Sequence, residues 1–387
     1  MDKTRRIFGS LSDVRQTRKV RYDLVDIIIM TIVGVLCGCT DWTEIAILCE
    51  VRIDCLRQYM PLANGVPSHD TFRRVMGLVD PSQLALCYQE WVATILPERA
   101  ADIISIDGKS VRGSGGGGKG LKPIHMVSAW SSAAGLTLGQ IKTSEKSNEI
   151  TAIPRLLQVL NIVGCIITID AMGCQTKIAN AIIKKQGEYV LAVKENQENL
   201  LTEIKDYFDD AEKTNYLSLH PYKAETKEKN RGRLEERHLV QIGECTLLSR
   251  FHEFAGARSI LKLHREIYRD GKRTEEIQFY ISSLEASEKS VKDLMRAVRA
   301  HWRIENQCHW VLDVTLREDA CRTRDLVAAE NLSVARKIVL ALVKRLPDDI
   351  VEKYSHNKAK WTSLKKRLFA AKLYPEYMMY ILLSGLK

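Results

Sequence analysis

No two cysteines in this chain stand at Cys-x-x-Cys spacing, although ten are present. That absence argues against a structural zinc knuckle: Cys37 and Cys39 are too close together, and Cys308-His309 has no second ligand pair at zinc spacing. Without a secretion signal, the thiols are expected to be reduced and buried in a cytoplasmic protein. A membrane-spanning run is also missing. The longest apolar stretch, Leu24 to Cys39, contains Asp26 and falls short of the roughly 20 residues needed to cross a bilayer, so it reads as a buried helix and no membrane partner is expected. A third absence concerns the glycine-rich stretch Gly113 to Lys119, which matches most of a G-x-x-x-x-G-K phosphate loop. Gly120 stands where Ser or Thr would hold magnesium, and the preceding segment does not run directly into a helix, so ATP or GTP binding is not expected. The preferred reading is a loop beside Asp107 that shapes itself on its ligand.

Negative charge is the minority: 48 Asp and Glu stand against 58 Lys and Arg, a formal charge of +10. A basic surplus favours polyanionic partners, nucleic acid before anionic membrane. The surplus is concentrated in residues 1 to 21, where Lys3, Arg5, Arg6, Arg15, Arg18, Lys19 and Arg21 outnumber Asp2 and Asp13. This is either a phosphate-gripping arm or a solvated basic tail. A second basic stretch among aromatics holds Lys358, Lys360, Lys365, Lys366, Arg367 and Lys372.

A chain of 387 residues exceeds the usual size of one domain. Residues 1–97 read as a helical unit, with helices over Leu24 to Cys37, Trp42 to Tyr59, Thr71 to Leu78 and Pro81 to Leu96. Within it, Arg73 and Arg74 lie on a short basic helix after the turn Pro61 to Ser68. That arrangement is either a loose helix-turn-helix entering a major groove or an ordinary packed bundle.

From Asp102 the hydrophobic period changes from helix to strand. Ile103 to Ile106 is a short apolar strand ending on Asp107, followed by strands Ile124 to Trp130 and Leu136 to Thr143, joined by the turn Ser131 to Gly135. A helix through Ile150 to Leu160, with Ser147 or Asn148 as its cap, leads to the buried strand Cys165 to Ile169, which ends on Asp170. Helix Gln175 to Lys185 and strand Tyr189 to Val193 complete an α/β core with a mixed sheet over residues 98–195. Residues 196–286 then begin with a helix, Glu198 to Ala211, and alternate like strands, with Asp270-Gly271 as a hairpin turn. Helices return over 287–346, and 347–387 form a basic helical C-terminus.

Asp107 and Asp170 hold equivalent strand-end positions. On adjacent strands both carboxylates leave the same sheet edge, and two such charges repel unless a cation lies between them. Mg²⁺ (or Mn²⁺) suits them, because it takes oxygen ligands from carboxylates and phosphates. In two-metal chemistry, ions about 4 Å apart activate an attacking hydroxyl and stabilise the leaving oxygen. A lone Asp after a strand is also a common turn former or helix cap. Helical spacing sets His301 and His309 one turn before and after Glu305, so a polar face can point at the aspartates, although Glu305 and Arg303 also read as surface charges around a Trp302 anchor. Lys109, Arg112 and Lys194 adjoin the same strand ends and are expected near a phosphate. Arg231 and Arg233, between two predicted strands, either approach phosphates or solvate a hairpin tip.

Four segments carry a resemblance: Ile104-Ser105-Ile106-Asp107-Gly108-Lys109, Ile167-Thr168-Ile169-Asp170-Ala171-Met172-Gly173, Leu191-Ala192-Val193-Lys194-Glu195-Asn196-Gln197 and His301-Trp302-Arg303-Ile304-Glu305-Asn306. With Ser290 to Asp319 as the most specific stretch, nearly the whole chain resembles the ISAs1 family of DDE transposases, including the H-repeat-associated proteins. The resemblance implies a ribonuclease-H-like core interrupted by a β-rich insertion. It also implies that Asp107, Asp170 and Glu305 are the catalytic, metal-holding carboxylates, with Glu305 favoured over Glu318 and Asp319. In a related group with a β insertion, a tyrosine, an arginine and a lysine accompany the glutamate. Here Val298, His301 and Leu312 stand at the corresponding positions, so those DNA-gripping roles do not carry over directly.

The reading is a transposase that cleaves transposon ends and transfers the strand to target DNA. Its partners would be double-stranded DNA, contacted by Arg73, Arg74, Lys109, Arg112, Lys194, Arg231, Arg233, His301 and Arg303, and a second copy of the chain assembled on DNA. The alternatives are a nuclease of the same core without strand transfer, and a DNA-binding remnant without activity.

Overall fold

The computed structural model describes residues 2–96, 102–116, 120–143, 149–217, 219–230, 232–243, 245–354 and 363–385. The expected cap residues Ser147 and Asn148, the basic residues Lys358 and Lys360, and Arg231 lie outside them.

The N-terminal unit holds helices α1 (Asp2–Phe8), α2 (Leu24–Leu36), α3 (Trp42–Val51), α4 (Ile53–Arg57), α5 (His69–Met76) and α6 (Pro81–Ile95). Each of the longer ones starts where a short oxygen-bearing side chain can accept an amide of the first turn. Asp23, Asp41, Ser68 and Asp80 do so for α2, α3, α5 and α6, with Pro81 in the first turn of α6. All of α2 is buried, including Asp26, whose charge is met by Arg5 folded back from α1. The apolar run is therefore a core helix. Among the described residues no helix is long and apolar enough to cross a membrane.

The core follows the order read from the periodicity: β1 (Ile103–Val111), β2 (Ile124–Ser131), β3 (Leu136–Thr143), α7 (Glu149–Val159), β4 (Ile166–Ile169), α8 (Thr176–Lys184) and β5 (Glu188–Val193). One difference bears on the site. β1 does not stop at Asp107 but continues to Val111, because β2 goes on pairing with it, as far as Val111 opposite Ile124, after the parallel pairing to β4 has ended at Ile106 opposite Ile169.

Helix α9 (Glu198–Lys213) leads into β6 (Tyr222–Asn230), β7 (Arg233–Ile242), β8 (Ser259–Arg269) and β9 (Lys272–Ser282). Asp270 and Gly271 both have positive φ, 51° and 74°, as a two-residue type I′ hairpin turn requires. The four strands do not form a separate sheet. β9 pairs antiparallel with β5, giving one nine-stranded mixed sheet in the order β3-β2-β1-β4-β5-β9-β8-β7-β6. The result is a mixed α/β fold with a central sheet flanked by helices, as a ribonuclease-H-like core with an insertion requires.

Period-two alternation sorts the sheet's side chains onto two faces. Val190, Leu261, Leu263 and Tyr280 pack with Val291, Leu294 and Val298 of α10 (Glu288–Ile304), whereas Leu191, Val193, Ile260 and Ile281 belong to the larger core. A reciprocal Ser287–Ser290 capping box starts α10. Two π-helical stretches, Glu305–His309 and Val311–Thr315, continue it. Helices α11 (Leu326–Lys344), α12 (Asp348–Tyr354), α13 (Leu364–Leu373) and α14 (Pro375–Gly385) complete the chain. Buried Asn331 of α11 donates to the carbonyls of Met76 (2.8 Å) and Val79 (2.9 Å), pinning the N-terminal helices to the core.

Candidate active site

On β1 the alternation places Ser105, Asp107 and Lys109 on the face that α10 covers, with Ile104, Ile106 and Gly108 opposite. The hydroxyl of Ser105 donates to the Ala300 carbonyl of α10 at 3.4 Å. Because Ile106 pairs in parallel with Ile169, the next residues, Asp107 and Asp170, lie side by side. From α10, Glu305 arrives over the same edge, and all three carboxylates line a cleft of about 700 Å³ together with Lys194, His301 and Trp302.

The tightest part is formed by Asp107, Glu305 and His309, whose ligand atoms all lie within 4.8 Å of one another. His309 Nδ1 is 3.1 Å from Glu305 Oε2 and 3.4 Å from Asp107 Oδ2. Opposite ligands of an octahedral Mg²⁺ lie about 4.2 Å apart, given bonds of about 2.1 Å, so a slight closure brings this set to cation-binding distance. The donor chemistry fits as well: two carboxylates converging on one point need positive charge, and the Nδ1 of buried His309 faces both of them. This acidic and histidine cluster can hold a divalent metal. Another such cluster among the described residues, His264, Glu266 and Glu275, is different, because Arg273 already lies against both of its carboxylates.

Electrostatics separate the three acids. Burial pushes the Asp107 carboxyl up to about 6, against the lowering pull of His309 and the Gly108 amide. Burial also raises Asp170, helped by the negative charge of Glu149. Glu305 is more exposed, and its hydrogen bond with His309 holds it below the usual carboxylate range. Desolvation lowers His301 to about 4, so it is neutral at pH 7, with Nδ1 3.1 Å from the Thr168 hydroxyl.

Several residues singled out from the sequence for DNA contact stand where a polyanion can reach them. Arg73, Arg74, Lys194 and Arg303 are exposed, as is Arg112, while Arg233 is half-buried and paired with Glu235 at 2.8 Å. Lys109 is the exception and corrects the expectation. Its side chain is 9% exposed, and its ammonium lies 2.6 Å from Asp313 and 2.7 Å from Glu318. It faces the interior because it shares the α10 side of β1 with Asp107. The same pairing turns Glu318, a rival for the third carboxylate, away from the cluster.

Three residues at the site have no role assigned from sequence: His309, His125 and Glu149. His309 was legible as a neighbour of Glu305 one helical turn on, but not as a partner of Asp107. Beneath Gly108 lies a buried pair, His125 Nε2 to Glu149 Oε1 at 2.6 Å, with Ser110 Oγ 3.0 Å from His125 Nδ1. A Cβ on Gly108 would sit 2.2 Å from the Glu149 oxygen, so glycine is required there by close approach. Nothing in the local spacing signalled this pair, because its members come from β2 and the start of α7.

Residues 98–342 match the family described as Transposase DDE domain, and residues 5–92 match the DDE_Tnp_1-associated family. YncI of Escherichia coli O157:H7, named as a candidate transposase, is 39% identical over 342 residues, which cover 87% of this chain and 86% of that protein. YhhI of Escherichia coli (strain K12), named as an H repeat-associated candidate transposase, is 38% identical over 338 residues, 86% of this chain and 88% of its own. YbfD of the same strain, similarly named, is 41% identical over 231 residues, 59% of this chain and 90% of its own. Likeness over this much of the length places the chain in the DDE transposase family, of the H-repeat-associated type, and makes its acidic cluster that of a DNA-cleaving, transposase-like protein.

Proposed function

We propose that this chain is the transposase of an insertion-sequence-like element of the ISAs1 type, cutting at the element's ends and joining the freed 3′ hydroxyl to target DNA. The observation that carries the reading is the meeting of Asp107, Glu305 and His309, with Asp170 alongside, at one edge of the sheet. Asp107, Asp170 and Glu305 would hold Mg²⁺ or Mn²⁺, which when bound activates the attacking oxygen and offsets charge at the scissile phosphate. The protein's own contribution is positioning, since phosphoryl transfer needs little covalent help. Lys194 at the cleft draws in a phosphate, and neutral His301 fills the space beside Thr168 without adding charge. Arg73, Arg74, Arg112, Arg231, Arg233 and Arg303 would grip the duplex backbone. An element has two ends and the described residues of each chain form one such cleft, so a homodimer assembled on DNA is the expected working form, acting in the cytoplasm on the nucleoid.

The test is product analysis. The purified chain is incubated with duplexes bearing the element's terminal repeats, a target plasmid and Mg²⁺ or Mn²⁺. Joined molecules are expected. Nicks alone would leave the nuclease reading, and duplex binding with no cut in either metal would leave the inactive remnant.

A further inference from the structure

Lys109 is two residues beyond Asp107 on the same face of β1, and its buried ammonium is enclosed by Asp313 and by Glu318, which is fully buried. Its partners come from the chain just after the helical segment bearing Glu305 and His309. At Arg317 the backbone takes a positive φ of 53°, and the Glu318 amide returns to the Leu312 carbonyl at 2.9 Å. This reversal aims the Glu318 carboxylate back at β1. Arg336 of α11, also buried, stands 3.6 Å from its other oxygen.

The opposite side of Glu305 is tied down by the same strands. Ser105, two residues before Asp107, holds the Ala300 carbonyl, and Thr168 of β4 holds His301. Residues two before and two after Asp107 thus grip the α10 chain on either side of Glu305. Asp313 follows Glu305 along the two π-helical stretches that continue α10, a short and continuous lever. π-helical turns are rare and often occur at functional sites, and here the contacts of Ser105 and Lys109 hold the segment on either side of Glu305. A buried ion network is a weak source of stability, since apolar residues of similar volume would do as well.

We propose that Lys109 is a positioning residue of the metal site: by holding Asp313 and Glu318 it locks the segment carrying Glu305 and His309 onto the strand carrying Asp107. This rests on the metal-site reading above. The Lys109 ammonium is taken up by Asp313 and Glu318, so its loss would weaken cation binding through the placement of Glu305 and His309 and leave DNA binding alone.

The experiment uses the full chain and Mn²⁺ as probe, with affinity read by electron paramagnetic resonance or calorimetry, alongside duplex affinity against salt and thermal melting. Removing Lys109 alone would strand a buried carboxylate, so the main variant is the charge-balanced double substitution Lys109→Met with Glu318→Gln. It is expected to melt cooperatively, to bind Mn²⁺ at least tenfold more weakly than the parent, and to keep the parent's DNA affinity and salt slope. Unchanged Mn²⁺ affinity overturns the proposal. So does a drop in DNA affinity with a salt slope shallower by about one, the mark of a lost phosphate contact. Should the double variant fail to fold, Lys109→Arg keeps the charge but lengthens the strut: a several-fold weaker Mn²⁺ affinity is expected, and parental affinity overturns the idea. Asp107→Asn separates the two levels. If it binds Mn²⁺ as the parent does, the metal-site reading fails and takes this inference with it. If it binds weakly while the double variant does not, only the positioning role is lost.

Discussion

Glu305 and Glu318 sit thirteen positions apart in the same motif, and their surroundings assign them opposite work. Glu305 is half in solvent at the cleft, within reach of Asp107 and bonded to His309, whereas Glu318 has no solvent and three cations nearby. Glu305→Gln should therefore abolish metal-dependent cleavage and Asp319→Asn should leave most of it, as measured by end-nicking of a labelled duplex. Cleavage surviving in Glu305→Gln would move the third carboxylate elsewhere. Glu318 also makes a statement about pH. Burial would raise its carboxyl, but Lys109, Arg336 and Lys337 outweigh burial and bring it to about 2. A carboxyl depressed on folding contributes stability that is present above its unfolded value of about 4.5 and is lost as pH falls from there toward 2. Urea unfolding at steps between pH 6 and 3 should show stability dropping below about pH 4.5 in the parent, with a clearly shallower slope in the Lys109→Met, Glu318→Gln double variant. Equal slopes would mean that Glu318 is not held charged.

At the scale of elements, what was legible in the sequence is what local periodicity encodes. The order β1 to β5 with α7 and α8 followed from alternation and helical spacing, and Asp270-Gly271 marked its hairpin because both residues tolerate positive φ. What was not legible depends on partners distant in the chain. β1 runs on to Val111 only because β2 accompanies it, and the insertion strands extend the core sheet only because β9 finds β5. Lys109 looked like a phosphate ligand because nothing near it in sequence announces Glu318, 209 residues away. The pair His125 and Glu149 was invisible for the same reason, yet it explains Gly108, where an added methyl would meet the Glu149 oxygen at 2.2 Å. Gly108→Ala is expected to cost about 1–3 kcal/mol in urea unfolding, by forcing two buried polar groups apart beside the aspartates. A cost within error of zero would show that Glu149 can move freely, and the close packing under Asp107 would have no structural weight.

Across the whole molecule, the surplus of positive charge is not spread over the surface as the sequence alone would place it. Part of the N-terminal basic arm is spent internally: Arg5 meets Asp26, and Arg15 is paired with Asp13 at 2.6 Å. Arg6, Arg18, Lys19 and Arg21 remain exposed, as do Lys365, Lys366 and Lys372 near the other end of the chain. Duplex affinity should therefore fall steeply with salt, because each phosphate neutralised releases condensed counterions, with a slope of about −0.9 per contact in log affinity against log salt. The structure makes the expectation specific to residues. Charge reversal at Arg18 and Arg21 should make the slope shallower, as should reversal at Lys365 and Lys366, while reversal at Arg5 should lower the melting temperature through stranded Asp26 and leave the slope as it was. Filter binding or fluorescence anisotropy from about 50 to 300 mM salt would read all three, on a range where six to ten contacts change affinity by orders of magnitude. A slope unmoved by both exposed pairs would place the DNA path on other cations, with Arg73 and Arg74 beside their cleft of about 430 Å³ the next to be reversed. A flat salt response in the parent would remove the duplex-binding reading itself, since cations that grip phosphates must release condensed counterions.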